Sequence, residues 1–482
     1  MLLRLIGSSL LLSSVVSFSA AASERTLVSV RGRSERTLRA LLAAQQDPAS
    51  PEYHRWITPS EFGHRFGAAP ADLRRVERWL RSEGCAIRRP KGRQQVECVG
   101  ARPGPVPASI ALLVDGVIDL QQRLPIRHDV ALRPNTDTGG VFSFSPQEYA
   151  GFFDLATLQD GGIDGTGQRI GIVGTAPVDP TDIDAFRTFY GLPALDLEQI
   201  GTPGPNLDDL DRLESVLDVS WSGAVAPGAA ITLSITQGTV VDALKALVNR
   251  TDVPVISLSL ELIASKRTKA AIKQCAKLFK QAATQGQTVL IASGDFGALV
   301  VVQPKKKRGV GPFVSSPFVT AVGGTSPTPI DPADASTYGT EVVWQEPSMA
   351  SGGGRSKTPR PSWQMGSATR TVPDVSLPAS GVYPIPRNGR ILCCAEGTSA
   401  AAPAWAGIAA MLNQQGGQRL GLLNPTLYRL GDAQMNGGTA VFHDITSGST
   451  DTSLAKGFPA KPGYDLATGW GTPIGSALFG AF

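Results

Sequence analysis

The apolar and polar pattern changes character near residue 145. Upstream, Thr26 to Val30 reads as a short strand and Glu35 to Gln46 has helical spacing. Pro59-Ser60-Glu61-Phe62 opens a second helix, and Ala71 to Ser82 forms a third. A hairpin and an apolar strand over Ala108 to Val117 complete one α+β unit. Leu132 to Gly140 is polar and turn-rich, as expected of a linker open to proteolysis. Downstream, Arg169 to Val173, Ala230 to Ile235, Val253 to Leu260 and Thr288 to Ala292 are short, continuously apolar strands. Helical segments at Asp182 to Tyr190, Val241 to Asn249 and Arg267 to Gln285 alternate with them. That alternation predicts an α/β fold, a mostly parallel sheet covered by helices on both faces. No internal repeat interrupts it.

The 482 residues are enough for a sizeable core plus an accessory domain. Gly 53 and Pro 36 imply many tight turns, while 42% hydrophobic content excludes a disordered chain. Arg4, the apolar Leu10 to Phe18 and the small residues Ser19 to Ala22 read as a cleaved signal peptide over 1–22. A membrane anchor is the alternative, but the apolar run is too short to span comfortably. The mature protein is expected to be secreted, without a membrane anchor, and a monomer. Residues 1–140 carry +7 and the remainder −3 of the net +4. Opposite signs would draw the two parts together, although chance also produces such a split. Lys305 to Arg308 is an isolated basic run, expected in an exposed loop, so nucleic-acid binding is not predicted. A two-residue turn at Lys91-Gly92 would set Cys85 opposite Cys98, which makes a disulfide feasible. The pairing of Cys275, Cys393 and Cys394 stays open, with at least one thiol left over.

The narrowest local signal is Gly397-Thr398-Ser399-Ala400-Ala401-Ala402-Pro403, leading into an apolar helical run. A serine there is exposed to substrate, at a helix end that favours developing negative charge. A helix-capping serine is the plainer alternative. A nucleophilic serine needs a base. Of the four histidines, His54, His64 and His128 precede the linker, and His443 adjoins a candidate metal carboxylate. Carboxylates must then serve. Glu214 and Asp218 are one helical turn apart, on one face. Two close carboxyls hold one proton more tightly, giving an acid/base pair suited to low pH. Asp295, in Ser293-Gly294-Asp295-Phe296-Gly297, follows a buried strand and could donate to an oxyanion when protonated. A turn aspartate competes with that reading. Asp444 and Asp465 lie in glycine-rich loops whose oxygens would suit calcium.

Together these motifs resemble the sedolisin (kumamolisin-like) serine-carboxyl peptidases over nearly the whole length. The stretch Gln45 to Pro59 resembles the family's propeptide, and Phe318 to Thr325 and Ser351 to Gly354 resemble its catalytic domain. The resemblance implies a subtilisin-like catalytic domain at 141–482, a propeptide domain at 23–131 and a processing linker at 132–140. Ser399 would be the nucleophile, Glu214 the base, Asp218 its supporting acid and Asp295 the oxyanion residue. Calcium (Ca2+) would take the side chains of Asp444 and Asp465 and the carbonyls of Ile445, Lys461 and Gly463. The expected activity is that of an acid-active endopeptidase on protein or peptide substrates, held inactive by its own propeptide. A tripeptidyl-peptidase and a catalytically silent binding protein are the alternatives. One segment departs from the family's Ser-x-Ser-x-Gly: Ser257-Leu258-Ser259-Leu260-Glu261-Leu262 lacks the glycine. Its bulkier side chains are expected to narrow the cleft or change which residues it accepts.

Overall fold

The computed structural model describes residues 24–128, 130–132, 142–204, 207–236, 238–302 and 305–482. The expected signal peptide lies outside the described residues, as does the expected linker apart from Leu132.

The N-terminal unit is a four-stranded antiparallel sheet in the order Ala86–Arg88, Gln95–Val99, Arg25–Val30, Val114–Asp119. Helices Glu35–Ala44, Pro59–Arg65 and Pro70–Ser82 accompany it. Local chemistry explains the second: Thr58 and Glu61 form a reciprocal capping box, and Pro59 needs no N–H in the first turn. Two expectations change. Ala108–Leu113 is a 3-10 helix, and only Val114–Asp119 extends as strand. The hairpin register also differs, because Ile87 and not Cys85 lies opposite Cys98. The chain reverses through a wider turn, closed by Arg93 N–H donating to the Pro90 carbonyl at 3.1 Å. Cys85, just ahead of its strand, still bonds to Cys98 across a Cα separation of 5.0 Å. Cys393 and Cys394 bond to each other, and Cys275 is a buried free thiol.

The larger unit is built on an eight-stranded sheet. Its order is Thr340–Val343, Thr320–Thr328, Thr288–Ala292, Val255–Leu258, Arg169–Gly174, Ala230–Ile235, Leu197–Gly201, with Val375–Pro378 also paired to Thr320–Thr328. All pairings are parallel except that of Thr340–Val343. One core, rich in Trp221, Trp405, Tyr149 and Phe186, includes the helices Asp209–Val225 and Thr398–Gln415. A second core includes Val240–Val248 and Lys269–Thr284. The expected strand over Val253 to Leu260 is broken at Ser259, and Leu260–Leu262 forms a separate edge. Lys305–Arg308 is exposed as expected, but as a strand paired with Leu299–Val302.

The two units are joined by ion pairs of both polarities, and those on the face of the N-terminal sheet run opposite to the one the charge split suggested. Asp115 bonds Lys273 at 2.7 Å and Lys277 at 2.6 Å, and Glu97 meets Lys245 at 3.2 Å. Here acids belong to the N-terminal unit and bases to the larger one, because the summed charge of a segment says nothing about which side chains face the contact. Further along, Arg123, Arg127 and His128 do meet acids, namely Asp211, Glu261 and Glu214.

A buried ion pair fastens the larger unit internally. Arg370 grips Asp374 through both nitrogens at 2.6 and 2.7 Å, with both side chains fully buried. Ala321 N–H and Tyr428 Oη–H also donate to that carboxylate. Asp374→Ala would strand a buried guanidinium, so unfolding stability should fall by about 3–5 kcal/mol. A denaturant midpoint that hardly moves would refute this.

Candidate active site

Ser399 is the second residue of the Thr398–Gln415 helix and is fully buried. Gly397 precedes the helix at φ 120°, a backbone angle that favours glycine. Pro403 has no N–H, so the Ser399 carbonyl lacks its normal helical donor. Ser259 supplies a replacement, its Oγ lying 3.1 Å from that carbonyl. In return Ser399 Oγ donates to the Ser259 carbonyl at 3.0 Å.

The same Ser259 Oγ is 2.6 Å from Asp218 Oδ1. Asp218 lies on the Asp209–Val225 helix, which starts with a capping box between Asp208 and Asp211. Glu214 and Asp218 are almost wholly buried on that helix. Burial pushes the Asp218 carboxyl well above its ordinary value, and the Glu214 carboxylate pushes it further. One hydroxyl proton cannot serve two acceptors. With Asp218 protonated, its carboxyl donates to Ser259 Oγ, and Ser259 donates to the Ser399 carbonyl. Ser259 thus joins the expected acid to the expected nucleophile, a role no local motif announces.

Asp295 follows the Thr288–Ala292 strand, at its carboxyl end. Its Oδ1 accepts from Thr398 N–H at 2.9 Å and from Thr398 Oγ1 at 2.7 Å. Asp295 therefore adjoins the residue before Ser399. Asp218 thus connects to Ser399 through Ser259, and Asp295 bonds the neighbouring Thr398, while Glu214 lies one turn before Asp218 on the same buried helix.

Three of the four histidines precede the expected linker in the sequence. The structure nevertheless brings one to the site. His128 Nε2 is 3.1 Å from Asp211 Oδ1, and His128 Nδ1 is 3.4 Å from Glu214 Oε2. Burial lowers the imidazole's pKa, but Asp211 and Glu214 outweigh it and raise it to about 10. His128 arrives on Ile126–His128, which pairs antiparallel with Leu260–Leu262. Register sets His128 opposite Leu260 and Arg127 opposite Glu261. His443 is elsewhere, stacked on Tyr338 with centroids 3.5 Å apart and lowered by burial to about 4.

The expected calcium donors lie on adjoining loops. Gly463 N–H donates to Asp444 Oδ2 at 2.8 Å, and Lys461 N–H to Asp465 Oδ2 at 2.7 Å. Burial raises both carboxyls, and among the described residues neither pairs with a basic side chain. No group of three or more His, Cys, Asp or Glu side chains stands ready for a metal among the described residues. An ion here would draw on backbone carbonyls, and a set of two carboxylates and three carbonyls fits calcium.

Residues 19–101 match the family described as Pro-kumamolisin, activation domain, and residues 218–426 match the Subtilase family. Kumamolisin from Bacillus sp. (strain MN-32) is 32% identical, over 78% of this chain and 72% of that protein. Tripeptidyl-peptidase 1 of Canis lupus familiaris is 27% identical, over 94% and 90%. Pseudomonas sedolisin, a serine-carboxyl proteinase solved with two molecules of pseudo-iodotyrostatin, superposes with a TM-score of 0.61 at 26% identity. That match covers 71% of this chain and 98% of the sedolisin chain. An activation domain ahead of a subtilisin-like fold is the layout of a zymogen, and the chain belongs to the kumamolisin and sedolisin family of serine-type, serine-carboxyl peptidases.

Proposed function

We propose that the protein is a secreted, acid-active endopeptidase that works through an acyl-enzyme on Ser399. Glu214 takes the Ser399 proton as Oγ attacks the peptide carbonyl, then returns it to the leaving amine. Asp218, protonated, keeps Glu214 in its working charge state. Asp295, carrying a proton in acid, donates to the oxyanion beside the start of the Thr398–Gln415 helix. The observation that carries this reading is the buried link from Asp218 through Ser259 to Ser399, with Asp295 bonded to the neighbouring Thr398. No histidine of the catalytic domain takes part in it. A peptide-library profile between about pH 3 and about pH 7 tests it, with an acidic optimum expected. Activity rising toward alkaline pH would point to a histidine base and defeat the proposal. Blocked-N-terminus peptides separate endopeptidase from tripeptidyl-peptidase action, since only the former cuts them.

The pairing of Ile126–His128 with the Leu260–Leu262 edge supports inhibition by an added strand that fills the place of substrate. Among the described residues no helix is long and apolar enough to cross a membrane.

Calcium is proposed to bind between Asp444 and Asp465, with the carbonyls of Ile445, Lys461 and Gly463, as a brace for the fold. An ion bound only by the folded state adds about 2.7 kcal/mol at a hundredfold excess over its Kd. Chelation should therefore lower the thermal midpoint by several degrees while every catalytic side chain stays in place. An unchanged midpoint would make the two aspartates turn residues alone.

A further inference from the structure

Arg127 of the propeptide occupies a pocket beside the candidate catalytic centre. Its Nη2 lies 3.3 Å from Glu261 Oε2, and its side chain is only 10% exposed. The guanidinium stands 5.8 Å from the Phe296 ring centre. It also crowds Gly294, where an added Cβ would come within 2.8 Å of Nη2. Gly294 and Phe296 flank Asp295. The pocket is thus walled by the loop carrying the oxyanion candidate on one side and by the Leu260–Leu262 edge on the other.

Glu261 is held in place there. Phe313 N–H donates to its Oε1 at 2.9 Å, and the side chain is 4% exposed. Its carboxylate fills the space over Gly311, where an added Cβ would fall 1.8 Å from Oε2. A buried carboxylate needs a cationic partner or it costs several kcal/mol. In the precursor Arg127 supplies such a partner. When the propeptide leaves, Arg127 leaves with it, and the carboxylate remains at the strand edge that a peptide would pair with. Lys306, whose Nζ lies 3.7 Å from the Phe296 ring centre, adds a second cation nearby.

We propose that Glu261 makes this pocket a selector for a basic side chain, arginine above all, in the peptide substrate. The inference rests on the peptidase reading above and extends it to specificity. The strand register names the position. Arg127 lies opposite Glu261 and His128 opposite Leu260, so a peptide in the same register sets the residue that takes Arg127's place opposite Glu261. Arg127 is the propeptide's own copy of the preferred side chain.

The test uses the acid-processed enzyme and peptide pairs differing only at that position, arginine against citrulline. Citrulline keeps the shape and hydrogen bonding but removes the charge. Wild-type kcat/KM should favour arginine by about tenfold or more, the usual worth of a charge-assisted bond in a buried pocket. Glu261→Gln keeps an acceptor for Phe313 N–H but loses the charge, so the ratio should fall to about one. A wild-type ratio near one overturns the selector role while cleavage itself leaves the peptidase reading standing, and this arm needs no variant to fold. An unchanged ratio in Glu261→Gln overturns it equally. Failure to cut any peptide overturns both.

Discussion

Ser399→Ala should lower peptide hydrolysis by about a millionfold, as loss of a serine nucleophile does in a preorganised site. The purified variant should keep its thermal midpoint, because the side chain loses one hydroxyl and one bond to the Ser259 carbonyl. Glu214→Ala should cost about 10²–10⁴, the usual contribution of a general base. The two losses should not add, since both residues serve the same proton transfer. Full activity in a folded Glu214→Ala protein would sink the carboxylate-base mechanism.

The second large effect is expected on acidification of the precursor. Burial alone would raise Asp115 and Glu97, but Lys273 and Lys277 around Asp115, and Lys245 with Arg25 around Glu97, hold both below their ordinary values. A carboxylate with a lowered folded pKa stabilises the contact above its ordinary value and loses that contribution as pH falls through the lowered one. These sheet-face pairs are therefore intact at neutral pH and fade below about pH 4. His128 behaves in the opposite sense. Its raised pKa means that its contribution is complete below 6.5 and is lost only as pH rises toward about 10. Arg123 and His128 hold Asp211 far below the carboxylate range, so that pair outlasts the others in acid. Acid should thus loosen the propeptide sheet first and leave the cleft strand engaged longest.

At about pH 4 the precursor should process itself near residues 132–140 and yield a catalytic domain starting close to Val141. Asp115→Asn, which removes one sheet-face anchor in advance, should speed that step about tenfold at a given pH. N-terminal sequencing and a time course on gels read both outcomes. A Ser399→Ala precursor that still processes would show that cleavage is not autocatalytic. A wild-type precursor that stays whole at every acidic pH would favour a silent, binding role.

The amino-acid sequence by itself determined the features set within a few residues. Parallel strands came from unbroken apolar runs, and helix starts such as Thr58–Glu61 from side chains that cap their own turn. The nucleophile turn, the one-turn spacing of Glu214 and Asp218, and Asp295 after its strand are likewise local. Tertiary structure decided what depends on meeting across the chain. The hairpin register was set by a wider turn than the cysteine spacing suggested. The polarity of each ion pair followed from which side chains face the contact, against the net charges of the two parts at the sheet face and with them at Arg123, Arg127 and His128. Ser259 became the bridge between Asp218 and Ser399 because Pro403 leaves a carbonyl without its helical donor, and only the packed helices bring the hydroxyl there. His128 and Arg127 reach Glu214 and Glu261 from 86 and 134 positions away in sequence. Such contacts carry no local periodicity. They exist because a short strand closes against the sheet edge, and backbone pairing, not side-chain pattern, chooses which residues then face the cleft.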